Sequence, residues 1–222
     1  MTREQDNASS TSLPDLRARP DRRSAPVRTD ILDATARLLN SGRLHEISVE
    51  NIAQEAGVSR PTFYSYFASK LEIVLELYQV AAAEMYDAVT PIWNRPADQT
   101  PPEAIRQGLR AMAAAWMPRR AVFEAAVELR YANPEMMSAS EQTIAYFARA
   151  IGAQLDADRA AGIAPPGPAT GPLATTLLWS SEHALYIAGR ALSADLPDEQ
   201  AVILPLETMW LGSLYGVVPT PP

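Results

Sequence analysis

Helical periodicity dominates this sequence from about Thr29 onward. Apolar residues recur at spacings of three and four positions, as in Ile31, Ala34, Leu38 and Leu39, and this spacing places them on one face of an α-helix. The alternating pattern of a β-strand is almost absent, and prolines and glycines divide the helical pattern into segments. The sequence therefore predicts an all-α fold of about nine helices.

The first three predicted helices are short. The first ends at Ser41-Gly42, the second is capped by Ser48 and closed by Gly57, and the third is capped by Ser59. A tight connection between the second and third helices is typical of a helix-turn-helix. A long helix should then run from residue 69 to about residue 89. Further helices are expected at residues 103–117, 119–132, 134–162, 169–192 and 198–215.

Composition divides the chain into three parts. Residues 1–26 are rich in Ser, Pro, Asp and Arg, so we expect a disordered basic arm. Residues 27–70 should form the helix-turn-helix domain, and residues 71–222 a helical domain for effector binding and dimerisation. The overall net charge is −7, but residues 17–28 carry five arginines and one aspartate. Only the N-terminal part is therefore suited to a polyanionic partner.

Several classes of protein are disfavoured by composition. The chain has no cysteine and only two histidines, far apart in sequence, so neither disulfides nor a zinc site is expected, and no cofactor is predicted. No run approaches the ~18 apolar residues of a membrane span. The polar start does not resemble a signal peptide. We therefore expect a cytoplasmic protein with no membrane partner.

The third helix has two different faces. Phe63 and Phe67 project together towards the core, whereas the opposite face carries Pro61, Thr62, Tyr64 and Ser65, with Arg60 at its N-terminal end. Such side chains can donate hydrogen bonds or cover a thymine methyl, and arginine can bind guanine with two hydrogen bonds. Lys70 stands at the start of the next helix, where free amides favour a phosphate. These features predict contact with the major groove of double-stranded DNA.

The run GVSRPTFYSYFASK, within residues 47–77, resembles the DNA-binding signature of the TetR family of bacterial repressors. The resemblance implies a homodimer that binds a palindromic operator and is released by a small lipophilic effector. It also implies DNA contacts at Ser48, Val49, Arg60, Pro61, Thr62, Tyr64, Ser65, Tyr66 and Lys70. The remainder of the chain is similar, more weakly, to the EthR-like subgroup of mycobacteria, for example in RPADQT and MWLGSLYG.

The C-terminal part contains apolar and aromatic residues that could line an effector cavity or simply fill a core. The candidates for ligand binding are Ile105, Met112, Trp116, Tyr146, Trp179, Ser181, Glu182 and Trp210. For Glu182, a satisfied structural carboxylate is the favoured interpretation and an effector contact the alternative. The helices near 169–192 and 198–215 are the expected dimer surface. Apolar area there should come from Leu177, Leu185, Leu204, Leu206 and Leu211.

Two other classes of function remain as alternatives. A helical enzyme is disfavoured because Ser181 and His183 lie two positions apart on a helix and point in different directions. GSLYG, at residues 212–216, is not a nucleophile elbow, because no strand precedes it. A protein that only dimerises or serves as a scaffold would leave the features of the third helix unexplained. Sequence-specific retention of DNA in a gel shift separates both alternatives from a repressor.

Overall fold

The computed structural model describes residues 25–217, and the regular secondary structure in that range is helical apart from one isolated bridge between Ser193 and Leu196. Two short 3₁₀ helices, Leu44–Glu46 and Thr90–Ile92, accompany eight α-helices. The α-helices are α1 Ala25–Ser41, α2 Val49–Glu55, α3 Arg60–Tyr66, α4 Lys70–Val89, α5 Pro101–Arg130, α6 Pro134–Ala160, α7 Thr170–Gly189 and α8 Glu199–Tyr215. The predicted all-α class is confirmed. The arm predicted at residues 1–26 lies outside the described residues, except for its last two, which are helical.

The helix count differs from the prediction at Pro118. One helix was expected on each side of this proline, at residues 103–117 and 119–132, but a single helix, α5, continues through it. Proline removes one helical hydrogen bond and crowds the preceding turn. The rings of Trp116 and Phe123, one on each side of Pro118, stack with centroids 4.6 Å apart and planes 9° apart. Packing on both sides therefore keeps the helix continuous, and the described residues form eight α-helices rather than nine.

Helices α1 to α3 form a compact unit around the buried side chains of Ile31, Ile52 and Phe63. Ser48 caps α2 as predicted, because its hydroxyl accepts a hydrogen bond from the Asn51 amide at 3.0 Å. Gly57, which follows α2, has φ +69°, a left-handed conformation that favours glycine. These local signals set the short turn that brings α3 across α2.

Helix α4 belongs to both halves of the molecule. It packs against α1 and, more extensively, against α5. Arg28 of α1 joins the first half tightly: its guanidinium donates to the carbonyl of Tyr66 at 3.0 Å and pairs with the Glu76 carboxylate. The same guanidinium lies 4.3 Å from the centroid of the Phe67 ring. These contacts couple α4 to the α1–α3 unit, which also packs against α5 through α1.

A buried carboxylate joins the far end of the helical body. Asp158 of α6 accepts hydrogen bonds from Arg95 at 2.7 and 2.8 Å, from the Tyr215 hydroxyl at 2.7 Å and from Gln154 at 3.0 Å. Burial favours the neutral acid, but these hydrogen bonds outweigh it and hold the pKa of Asp158 below its usual value. The connection after α4 is thus fixed to α6 and to the end of α8.

None of the helices within residues 25–217 combines the length and apolar character needed to cross a membrane.

Candidate DNA-binding surface and effector cavity

Helix α3 is held by its apolar face and by its first turn. Phe63 within it and Phe67 just after it are buried. Ser59 caps the helix by accepting a hydrogen bond from the Thr62 amide at 3.2 Å. Pro61 occupies the first turn, where its missing N–H is of no consequence. The opposite face of this short helix is consequently presented to solvent at a defined angle.

Arg60 and Tyr64 form the centre of that exposed face. Tyr64 is 45% exposed, although the edge of its ring meets Phe63 with centroids 5.3 Å apart. The guanidinium of Arg60 lies 3.5 Å from the Tyr64 hydroxyl and 2.7 Å from the Glu50 carboxylate. The hydrogen bond with Tyr64, followed by the charge of Glu50, raises the pKa of Arg60. The arginine is therefore held over the exposed face as a permanent cation.

The remaining predicted contacts on α3 differ in their accessibility. Pro61 and Ser65 are exposed and Thr62 is half-buried. The Ser65 hydroxyl donates to the Thr62 carbonyl at 2.6 Å, and the Thr62 hydroxyl lies 2.7 Å from that of Ser59. Tyr66 is half-buried and packs against the core, so its ring is less available than that of Tyr64. The exposed face is thus narrower than the sequence pattern suggested.

Lys70 is the first residue of α4, at the helix terminus predicted for it. Its ammonium group donates to the carbonyl of Leu44 at 3.1 Å and to that of Ile47. Ile47 directly precedes Ser48 and Val49, which are half-buried at the N-terminus of α2, and Leu44 begins the 3₁₀ helix before it. Two of the three ammonium donors are therefore used to position the start of α2, a role that sequence reasoning missed.

A largely apolar cavity with an accessible volume of about 80 Å³ lies between α4, α5, α6, α7 and α8. Helix α4 contributes four of these residues, spaced along one face. The lining residues are Tyr78, Ala82, Met85, Val89, Ile92, Trp93, Met112, Trp116, Phe123, Thr143, Ile144, Phe147, Ile151, Leu178, Glu182, Leu185 and Trp210. The apolar lining with few polar groups is typical of a site for a small organic ligand.

Four of the predicted ligand-binding residues line this cavity: Met112, Trp116, Glu182 and Trp210. The other four do not. Ile105 is buried elsewhere, the ring of Tyr146 packs 4.7 Å from that of Tyr86, and Ser181 lies behind Trp210 and accepts its indole N–H at 2.9 Å. Trp179 packs against Arg130 instead. No α4 residue was among the predicted ligand-binding residues, although the apolar spacing of this helix is visible in the sequence.

Among the described residues that line the cavity, Glu182 is the only carboxylate. It forms an ion pair with Arg130, which donates to it at 2.9 Å through one nitrogen and makes a second, shorter bond through the other. Arg130 is 4% exposed and lies 4.5 Å from the centroid of the Trp179 ring. Burial alone would lower the pKa of Arg130, but Glu182 more than compensates, and the pKa is raised. The favoured interpretation of Glu182 as a paired structural carboxylate agrees with this geometry.

Comparison with known proteins connects both sites to one family. Residues 31–77 match the bacterial regulatory proteins of the TetR family, and residues 105–216 match the C-terminal domain of the transcriptional regulator EthR. The HTH-type transcriptional regulator EthR of Mycolicibacterium smegmatis is 34% identical over 198 residues, covering 85% of this chain and 86% of that protein. EthR of Mycobacterium tuberculosis H37Rv is 33% identical over 214 residues, covering 94% and 96%.

Solved structures share the fold at lower identity. Salmonella enterica GusR has a TM-score of 0.67 at 18% identity, covering 87% of this chain and 99% of its own. The fatty acid degradation regulator FadR from Bacillus halodurans has a TM-score of 0.68 at 19% identity, covering 85% and 96%. From these matches and the sequence relatives together, the chain is identified as a transcriptional regulator of the TetR family, with an EthR-type C-terminal domain, and not as an enzyme.

Proposed function

We propose that this regulator represses transcription as a homodimer, with α3 of each protomer in the major groove of a palindromic operator, and that a small lipophilic effector in the cavity releases it. The observation that carries the proposal is the position of α4, which forms part of the cavity wall and also begins beside the DNA-binding helices. As a repressor of this kind acts on cytoplasmic DNA, we place the protein in the cytoplasm.

The DNA contacts follow from exposure. Arg60, Pro61, Tyr64 and Ser65 are exposed and therefore face the bases, with Thr62 beside them. The half-buried Ser48, Val49 and Tyr66 contact the phosphate backbone at the edges of the surface. Lys70 holds the start of α2 against α4 and supports a phosphate contact with its remaining donor. To bind a guanine, the Arg60 guanidinium must break its ion pair with Glu50 and form hydrogen bonds to the base instead.

Replacing Tyr64 with alanine should weaken binding to the operator by about 1–3 kcal/mol, the scale of one lost specific contact. The fold should survive, because the ring is exposed and the buried neighbour Phe63 is unchanged. Fluorescence anisotropy with labelled operator measures the change. Tyr131→Ala is the matched control, since Tyr131 is 80% exposed on the helical body. Equal affinities for wild type and Tyr64→Ala would refute the assignment of this face.

Helix α4 provides the link between effector and operator. Tyr78, Ala82 and Met85 line the cavity, while the first turns of the same helix hold Lys70 and Glu76, which bind the start of α2 and Arg28 of α1. A ligand that occupies the cavity and favours a shifted α4 would therefore turn the α1–α3 unit. Since two such units must match fixed half-sites, a small shift in each misplaces both.

A true effector should bind about 5- to 150-fold more weakly when the operator is bound, because a coupling of ~1–3 kcal/mol is typical and is reciprocal. Calorimetric titration of lipophilic compounds, with and without a saturating operator duplex, measures this ratio. Ala82→Phe serves as the control, because its ring should occupy part of the cavity and abolish binding of the ligand in the absence of the operator. A ligand that binds equally tightly with and without the operator would show that the cavity does not control DNA binding.

The proposed dimer surface is the outer face of α7 and α8. These helices contain only three charged residues, Glu182, Glu199 and Glu207, and each pairs with arginines of α5. The outer face is therefore uncharged, as in the core of protein interfaces. Leu204 is 44% exposed there. The other leucines expected to supply apolar area, Leu177, Leu185, Leu206 and Leu211, are buried within the protomer and are not available for the interface.

A further inference from the structure

The two cavity tryptophans of α5 and α8 differ in the state of their indole N–H groups. The Nε1 of Trp210 donates to the Ser181 hydroxyl at 2.9 Å, and that hydroxyl in turn donates to the Leu177 carbonyl at 2.8 Å. The Nε1 of Trp116 is also buried but has no hydrogen-bond partner among the described residues. Because an indole nitrogen can only donate, Trp116 is left with one buried donor that needs an acceptor.

The neighbouring groups do not supply that acceptor. One face of the Trp116 ring is covered by Phe123, stacked at 4.6 Å. The polar lining groups besides the tryptophans are Tyr78, Thr143 and Glu182. Tyr78 and Thr143 interact with each other, and Glu182 is engaged by Arg130. Buried polar groups in proteins are nearly always satisfied, so an unsatisfied donor in a cavity wall marks a place where a ligand atom fits.

The charge of the cavity wall restricts the ligand further. Glu182 is its only carboxylate, and the buried Arg130 that balances it is already bound to it and does not line the cavity. An anionic ligand would meet the carboxylate without a free cation in the wall, at a considerable cost in an apolar site. A neutral acceptor, such as a carbonyl oxygen, would not incur this cost.

We propose that Trp116 determines the specificity of the cavity, and that its ligand is an uncharged apolar molecule with a hydrogen-bond acceptor, a ketone, ester or amide carbonyl, that binds the Trp116 N–H. This inference rests on the proposed effector cavity and narrows the chemical class of the effector. It assigns to Trp210 a different role, which is to shape the wall while its own N–H is satisfied internally.

The test uses three probes of one skeleton: benzophenone, which carries a carbonyl, diphenylmethane, which lacks it, and diphenylacetate, which is anionic. Calorimetry on the full-length protein gives the ratio of the dissociation constants for diphenylmethane and benzophenone. This ratio should fall about tenfold in Trp116→Phe, which loses the donor and keeps an aromatic ring. It should be unchanged in Trp210→Phe, the matched control, whose N–H does not face a ligand.

Each other outcome decides against the proposal. An unchanged ratio in Trp116→Phe, or tightest binding of diphenylacetate by wild type, would overturn the carbonyl contact while leaving the effector cavity intact. Failure of all three probes to bind would instead overturn the proposed cavity, and this inference with it. The operator gel shift of each variant verifies that it is folded.

A second measurement follows the binding of the probes to the wild-type protein by NMR. The chain has four tryptophans, so ¹⁵N-labelled indoles give four N–H resonances, and Trp116→Phe identifies one by its loss. On adding benzophenone to wild type, this resonance should move downfield as its hydrogen bond forms, and diphenylmethane should not cause that shift. A Trp116 resonance that responds identically to both probes would refute the proposal.

Discussion

Replacing Leu204 with glutamate should abolish dimerisation and lower affinity for the operator by about 10²- to 10⁴-fold, the gain expected from linking two binding modules. Leu204 is exposed on the uncharged outer face of α8, and a carboxylate buried in the proposed interface would be desolvated without a partner of opposite charge. The protomer should remain folded, because the side chain does not contribute to its core.

A large loss of operator affinity is expected because the DNA-binding surface of one protomer is small. Helix α3 has seven residues, and one copy covers too few base pairs for useful specificity. When two copies are joined, the second binds at a high effective concentration. The operator should accordingly be a rough palindrome, with half-sites separated by a helical turn or a multiple of it.

Sedimentation and operator anisotropy measure the two consequences on the same samples. Val80→Glu is the matched control: Val80 is 45% exposed, on α4 rather than on the proposed interface, and the substitution adds the same charge. If Leu204→Glu remains a dimer at micromolar concentration, α8 is not the dimer surface. If it becomes a monomer with unchanged operator affinity, the bivalent mechanism fails.

Replacing Glu182 with alanine should reduce the free energy of unfolding by about 3–5 kcal/mol, the usual cost of removing one partner of a buried ion pair. Arg130 is 4% exposed and would be left with its charge buried and without its carboxylate. Its stacking on Trp179 cannot replace the two hydrogen bonds that are lost. Urea denaturation at one fixed protein concentration gives the value, since dimer stability depends on concentration.

Two comparisons isolate the cause. Glu55→Ala removes one partner of the Arg37–Glu55 pair, whose side chains are 58% and 40% exposed, and should cost no more than about 1 kcal/mol. The double variant Arg130→Met with Glu182→Leu removes both charges and should be much closer to wild type than Glu182→Ala. A Glu182→Ala protein as stable as wild type would mean that Arg130 has access to water or to another acceptor.

The DNA-binding helices illustrate what local sequence can predict. The caps at Ser48 and Ser59, the turn at Gly57 and the start of α4 at residue 70 all agree with the structure, because each depends on groups within a few residues of chain. The two faces of α3 also follow from helical geometry alone. Lys70 is different, because its bonds to the carbonyls of Leu44 and Ile47 join residues more than twenty positions apart.

Around the proposed effector cavity, the general character of the helices could be predicted from the sequence, but the surroundings of individual side chains could not. The sequence determined that the C-terminal half is helical and apolar inside, since these properties depend on composition and periodicity. It assigned both Trp116 and Trp179 to the ligand site, and both Leu204 and Leu206 to the dimer surface, because each pair is alike in type and lies on predicted helices. Only the crossing of five helices decided which of them faces the cavity, which packs on Arg130 and which remains in solvent. The physical reason is that a helix fixes the direction of its side chains relative to its own axis, whereas their neighbours depend on how separate helices pack.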